Sequence, residues 1–320
     1  MDQPIFSVII PSFNRARFLP DALDSVFVQD IPDVQVILVD DGSTDDTQAV
    51  VAAYGRGLQY VRHHKRSGPA AARNTGLNLA TGRLISFLDS DDVWMPGKMK
   101  AELSIFDSNP SAEAVISDSE RWLEGELVCP SWFGEQGLVV PGNKPAPLPP
   151  TPPLWAKHKI CATCCLTMTR EAVERLGEAP FDTSFPTHQD WDFAIRVIHS
   201  CNVIVLPDNM AIIRRFEDGT RIGRPLPGTL YPPAVKRVMA YRRYRVFEKA
   251  QRLTGWPDGV VPHIEAALSE AAREFADNLS GWRRPDLLRL VLKELRRGAF
   301  GSAASVMVSG LAPTRLRSLF

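Results

Sequence analysis

The chain has 320 residues, 44% of them apolar and 23% charged, ordinary values for a soluble globular protein with one large core and an appendage or two modest domains. Lysine plus arginine equals aspartate plus glutamate at 37 each, so no global field draws the chain onto nucleic acid. No apolar run reaches the roughly 18–20 residues that span a bilayer, and Met1-Asp2-Gln3-Pro4 lacks the basic flank of a signal peptide, so a cytoplasmic protein is expected.

In chain order, Phe6 to Ile10 predicts a buried strand ending at Pro11, and Leu19, Ala22, Leu23, Val26 and Phe27 then recur at helical spacing. Val34 to Val39 is a second apolar run, closed by Asp40-Asp41-Gly42. Ser43, with Asp46 three residues on, is an acidic variant of the capping box and opens a helix through Tyr54. Leu58 to Arg62 predicts a short strand, Ala70 to Ala80 a helix ended by Gly82, and Leu84 to Leu88 a strand stopping at Asp89. This alternation predicts an α/β fold, a mostly parallel sheet covered on both faces, with ligands beyond the carboxyl ends of the strands. Pro11, Asp40 and Asp89 stand at those ends.

Pro141 to Pro153 carries seven prolines in thirteen residues and can be neither helix nor central strand; a surface loop or a polyproline linker is expected. Cys161 to Thr169 predicts a strand. The cysteines number five, which disfavours a disulfide framework, and zinc through Cys161 and Cys164 would need two further ligands, so buried thiols are expected. Glu171 to Leu176 and Asp190 to His199 predict helices, and Val203 to Leu206 and Ala211 to Ile213 two strands. After about Arg221 the character changes to arginine- and alanine-rich helices at Val235–Leu253, Val261–Leu279 and Leu287–Arg297. Domains of residues 1–220 and 221–320 follow, the second a helical extension. Its stripe of Leu287, Leu288, Val291, Leu292 and Leu295 suits packing on the first domain, a partner helix or peripheral contact with an anionic membrane face.

The strongest chemical signal is Asp89-Ser90-Asp91-Asp92. Three carboxylates within four residues repel one another unless a hard divalent cation, Mg²⁺ or Mn²⁺, sits among them, or unless the segment is an acidic turn. Asp40 could accept hydrogen bonds from a nucleobase or ribose. No GxGxxG or GxxxxGK[ST] occurs.

Four segments, Pro11-Ser12-Phe13-Asn14, Val39 to Thr47, Gly68 to Gly76, and Phe87 to Trp94 with Pro96, resemble in order and spacing the family 2 glycosyltransferases of GT-A fold, over roughly residues 5–215. The resemblance implies a metal-dependent inverting enzyme of surface polysaccharide or glycoconjugate synthesis. Its donor would be a nucleoside-diphosphate-sugar, a UDP-sugar foremost, and its acceptor a glycan or lipid-linked hydroxyl. Pro11 and Phe13 would line the base pocket, Asp40 would touch the base, and Arg73 the base or diphosphate. Asp89 would sit at the ribose and Asp91 on Mn²⁺ or Mg²⁺, with Asp92 assisting.

The base that takes the acceptor proton would be Asp190, because Gln189 replaces the first acid of the family's pair; the alternative is that Asp190 only caps its helix. Trp191, Ala194, Ile195 and Ile198 share one apolar face there, with Asp192 and Arg196 an i,i+4 pair on another. Trp191 would stack on a sugar or belong to the core. Phe216 stands where some members have a histidine, and Arg214 or Arg215 would supply positive charge there or be edge-strand residues. His63, His64 and His188 are read as non-metal. A nucleotidyltransferase of similar fold and a catalytically silent sugar-nucleotide-binding or scaffolding protein are the rival readings.

Overall fold

The computed structural model describes residues 3–149, 161–185, 187–216, 233–257 and 259–277. They fall into two compact units, Met1–Gly223 and Arg224–Phe320. In the first unit, strands β1 (Phe6–Ser12), β2 (Val34–Asp40), β3 (Leu58–Arg62) and β4 (Leu84–Phe87) alternate with helices α1 (Leu19–Phe27), α2 (Thr47–Ala53) and α3 (Pro69–Leu79). The chain continues through β5 (Val93–Trp94), α4 (Lys98–Ser108), β6 (Ala114–Leu123), β7 (Glu126–Cys129), α5 (Trp132–Gln136) and β8 (Ala146–Pro147). It then runs through β9 (Leu166–Thr169), α6 (Arg170–Arg175), α7 (Gln189–Ser200) and β10 (Val203–Arg215).

These strands make one sheet in the order β3-β2-β1-β4-β9-β6-β10-β5, with β7 on β6 and β8 on β10. β3, β2, β1 and β4 pair in parallel, as do β6 and β10. β9 runs antiparallel between β4 and β6. The sheet is therefore mixed and mostly parallel. All seven residues of β1 are buried, the pattern of a strand covered on both faces. Gly76 lets α3 lie close on β1: a methyl group there would overlap the side chain of Ile9.

Several local expectations change. Asp46, not Ser43, flanks the start of α2, and its side chain makes no cap bond. Ser43 Oγ instead accepts the N–H of Asn14, while Asp45 accepts the N–H and hydroxyl of Thr47 at 3.2 and 2.6 Å. α3 ends at Leu79, and Gly82 is pressed against the backbone of Phe6 and Ser7. The strand expected from Cys161 begins only at Leu166, after a 3-10 turn over Thr163–Cys165. The two strands expected after Val203 are one strand, irregular between Leu206 and Ala211. The described part of the proline segment contributes a 3-10 turn at Pro141–Asn143 and the edge strand β8, where a missing N–H costs no ladder bond.

The second unit contains α8 (Pro233–Gln251) and α9 (Val260–Asp277). Val246, Phe247 and Ala250 of one and Ile264, Ala267 and Ala271 of the other are buried, and Arg243 bridges to Glu270 and Glu274 at 3.4 and 3.0 Å. The helix expected at 287–297, with its apolar stripe, lies outside the described residues. Among the described residues no helix is long and apolar enough to cross a membrane.

Candidate active site

The parallel strands β1, β2, β4, β6 and β10 end along one edge of the sheet, and antiparallel β9 begins there. Phe13, Asp40, Asp89 to Asp92, the turn Thr163–Cys165 and Arg214 are thus delivered to one crevice by the direction of the strands alone.

Asp89, Asp91 and Asp92 meet three different protein partners. Asp89 pairs with Arg73. Asp91, 8% exposed, meets Arg15 Nε at 3.3 Å. Asp92, 1% exposed, accepts the Arg214 N–H at 2.9 Å, and its own N–H bonds the Asp89 carbonyl at 2.9 Å. The segment is therefore a turn whose three carboxylates are each offset by a different donor. Among the described residues no three His, Cys, Asp or Glu side chains converge as a metal cage. Arg214 clamps this turn further through Nε to the Asp91 carbonyl at 2.7 Å, while its Nη1 reaches Asp21.

Asp40, 1% exposed, is turned inward: it accepts the Ser43 N–H and the Tyr60 hydroxyl, both at 2.7 Å, with Arg62 Nε at 3.5 Å. Burial and the bond to Asp40 push the Tyr60 phenol up, so it stays a donor. Its neighbour Asp41 had no role in the sequence reading. It accepts the N–H groups of Ser67 and Gly68 at 2.8 and 2.7 Å and meets His63 Nδ1 at 2.8 Å, tying down the loop that opens α3. Pro11 is buried in β1, and the ring of Phe13 lies under the Arg66 guanidinium at 4.2 Å.

Arg73, on α3, is 3% exposed. Its Nη2 donates to Asp89 and to Thr163 Oγ1, the latter at 3.3 Å, but its buried Nε and Nη1 meet no acceptor. Its guanidinium lies 5.4 Å from the Phe181 ring, which stacks on Phe193 at 4.1 Å, and both rings meet Phe87 edge-on. Asn74, beside Arg73, clamps the Phe181 backbone through bonds of 2.7 and 3.0 Å. Phe193 thus docks α7 beneath the strand end that carries Asp89.

Asp190 stands half-buried in the first turn of α7, accepting the Trp191 N–H at 2.9 Å; His188, at φ 67°, is the residue flanking the helix. The buried face of α7 is Gln189, Asp192, Phe193, Ala194, Ile195 and Val197. Trp191 and Ile198 are only half-buried, which corrects the expected stripe. Asp192 pairs with Arg196 at 2.8 Å as its spacing implied, but on the buried side rather than on a separate face. Arg215 lies at the end of β10, with its carbonyl accepting the Glu124 N–H. Phe216 stacks on Phe18 at 4.1 Å. Arg15 and Arg66 lie in no motif, and only the folded chain brings them to the site; Asp41 lies within the Val39–Thr47 segment.

The sequence pattern of Glycosyl transferase family 2 matches residues 7–147. The chain is 34% identical over 210 residues to UDP-Glc:alpha-D-GlcNAc-diphosphoundecaprenol beta-1,3-glucosyltransferase WfgD of Escherichia coli, a match covering 63% of this chain and 73% of that one. The chain belongs to glycosyltransferase family 2. An uncharacterized glycosyltransferase of Rickettsia felis is 39% identical over 105 residues, 32% of this chain, and the match spans only 17% of that longer protein. Among solved structures, S. aureus TarS 1-349 in complex with UDP-GlcNAc superposes with a TM-score of 0.61 at 16% identity, over 96% of this chain and 90% of that one. The mannosyltransferase PcManGT from Pyrobaculum calidifontis, in complex with GDP-Man and Mn²⁺, gives 0.58 at 22% identity, over 98% and 89%. These likenesses establish the GT-A fold of this family 2 chain.

Proposed function

We propose that the chain is a metal-dependent, inverting glycosyltransferase that moves a sugar from a nucleoside diphosphate to an acceptor hydroxyl. The observation that carries this reading is Arg73: a buried guanidinium with two N–H groups lacking an acceptor, beside Asp89 at the strand ends. Such donors are costly unless an anionic ligand completes them, and a diphosphate is the anion the family's donors carry.

A divalent ion fits Asp91. Mn²⁺ or Mg²⁺ commonly takes one or two carboxylates plus substrate phosphates, so no protein cage is needed, and Asp91 is more open than Asp92. Bound there, the ion would neutralise charge on the leaving diphosphate. The protein groups then divide the remaining work. Phe13 and Pro11 offer the base an apolar wall, Asp40 holds the strand-end turn and faces the base, and Arg73 holds the diphosphate. Asp190 takes the acceptor proton as the acceptor oxygen bonds to the anomeric carbon. The bond from that carbon to the diphosphate breaks on the opposite side, inverting the centre and releasing the nucleoside diphosphate. Arg214 steadies the Asp91 turn, and Trp191 borders the acceptor side.

By analogy with the UDP-sugar and lipid diphosphate in the name of WfgD, and with the UDP-GlcNAc in the TarS complex, the donor is read as a UDP-sugar and the acceptor as lipid-linked. Residues 1–220 would be the catalytic domain and 221–320 its helical extension, working in surface polysaccharide or glycoconjugate synthesis at the cytoplasmic face of the membrane. Incubation with UDP-, GDP- and dTDP-sugars and Mn²⁺ tests the reading. Release of nucleoside diphosphate supports it, pyrophosphate would indicate a nucleotidyltransferase, and binding without turnover would indicate a silent protein. Gln189, buried where the family carries an acid, is the feature that favours the silent alternative.

A further inference from the structure

A second arginine is buried without an acceptor. Arg121, on β6, is 8% exposed, its Nε is buried and meets no hydrogen-bond partner, and no carboxylate pairs with it among the described residues. The nearby carboxylates on its own strand are committed elsewhere. Asp118 accepts the Phe133 N–H at 2.8 Å and the Ser131 hydroxyl at 2.5 Å, and Glu120 accepts the Trp122 indole N–H at 2.7 Å. The bonds to Asp118 fix the start of α5, which lays the Trp132 ring against the Arg121 guanidinium at 4.2 Å. A cation held in place by a ring, yet left without a counter-charge, is a costly arrangement for the empty protein.

Its position relates it to the proposed reaction. Arg121 is in register with Ile213 of β10, next to Arg214, whose N–H holds Asp92. On its other side it is in register with Cys129 of β7, while earlier on the same strand Ser117 Oγ donates to the carbonyl of Cys165, the last residue of the turn whose first residue, Thr163, accepts from Arg73. The bond from Cys164 lowers the Cys165 thiol, burial opposes it, and the charge of Arg121 adds to the lowering, as proximity requires. β9 separates β6 from β4, so about 10 Å of sheet lies between the Arg121 strand and the strand of Asp89. Arg73, on α3, thus meets the first residue of the turn, and Arg121 belongs to the strand that meets its last.

We propose that Arg121, backed by Trp132, is the acceptor-side anion subsite and binds a phosphate group of a phosphate-linked sugar acceptor. The inference rests on the transferase reading above. A planar guanidinium fork suits phosphate oxygens, and the aromatic face that holds it limits the entropy lost when they bind. A free hydroxyl sugar lacking phosphate would leave this subsite unfilled.

The test compares the full-length wild type with Arg121→Gln and Arg121→Lys on two acceptors, a short prenyl-diphosphate-linked sugar and an alkyl glycoside of the same sugar. For Arg121→Gln the KM of the diphosphate acceptor should rise about 10- to 100-fold, the size of one or two charge-assisted hydrogen bonds, with donor KM unchanged. The alkyl glycoside should be used no worse than by wild type, and Arg121→Lys should recover part of the loss. Because the removed charge is uncompensated, the Arg121→Gln melting temperature should not fall. An equal loss on both acceptors, a rise in donor KM, or no change would overturn the proposal. Calorimetry with inorganic pyrophosphate separates its failure from failure of the transferase reading. In a protein without transferase activity, binding that Arg121→Gln abolishes but Arg73→Met spares still upholds the subsite, and binding indifferent to Arg121 refutes it.

Discussion

Asp91 and Asp92 are adjacent and chemically identical, yet their surroundings predict opposite consequences for their removal. Asp92 is nearly inaccessible and receives the Arg214 backbone N–H at 2.9 Å, joining the acidic turn to β10. Asp92→Ala leaves that amide without its charged acceptor, a loss of about 2–3 kcal/mol. For a unit of this size each kcal/mol shifts the midpoint by about 2–4 °C, so the melting temperature should fall by about 4–12 °C. Asp91 meets Arg15 at 3.3 Å, and asparagine keeps its shape and an oxygen acceptor for that guanidinium, so Asp91→Asn should move the midpoint less than Asp92→Ala does. It should instead weaken Mn²⁺-dependent binding of UDP by about 100-fold, the size of a lost carboxylate ligand to a cation that neutralises a diphosphate. Thermal denaturation without ligand and calorimetric titration with UDP and Mn²⁺ read the two effects separately. An Asp92→Ala variant that melts with the wild type, or an Asp91→Asn variant that loses as much stability, would refute this division.

Asp190→Asn should abolish transfer while sparing UDP affinity, and near-normal turnover would remove Asp190 from its role as base. Arg73→Met should lose about 10- to 100-fold in donor affinity with little loss of secondary structure, because two of its buried N–H groups have no protein acceptor to forfeit; unchanged UDP titration would refute it. Lys98 and Glu102 form a fully buried pair on α4, with Thr167 donating to Glu102 at 2.8 Å and the Lys98 ammonium 4.7 Å from the Trp94 ring. Lys98→Met should cost about 3–5 kcal/mol and the double replacement Lys98→Met/Glu102→Leu clearly less, as urea denaturation would measure. Gly76→Ala should cost about 1–3 kcal/mol by forcing α3 off Ile9, and a midpoint equal to wild type would disprove the close approach.

Local chemistry is legible in this sequence wherever one segment suffices to specify it. The apolar runs of β1, β2 and β4 must be buried strands, and parallel strands end along one edge, so Phe13, Asp40 and Asp89 to Asp92 could be placed at that edge from motif and order. The six-residue helix at Arg170–Arg175 and the helix at Gln189–Ser200 were likewise visible, give or take a residue. Misjudged features involve competition between distant partners. Ser43 could have capped α2, but Asn14 offered its N–H first. Cys161 to Cys165 is apolar enough for a strand, but the turn there presents the Thr163 hydroxyl to Arg73 and the Cys164 carbonyl to the Trp94 indole N–H.

Pattern and order therefore settle the α/β class, the sheet edge where the parallel strands end and the list of acidic candidates, because alternation and strand direction are properties of single segments. The division of labour among those candidates is different. Which carboxylate meets Arg15, which meets the Arg214 amide, and which buried arginine is left without a counter-charge depend on residues brought together across as many as 122 residues of chain. No spacing rule encodes such meetings. They exist only once β9 inserts antiparallel between β4 and β6 and brings the Thr163–Cys165 turn to Arg73 on one side and to β6 on the other.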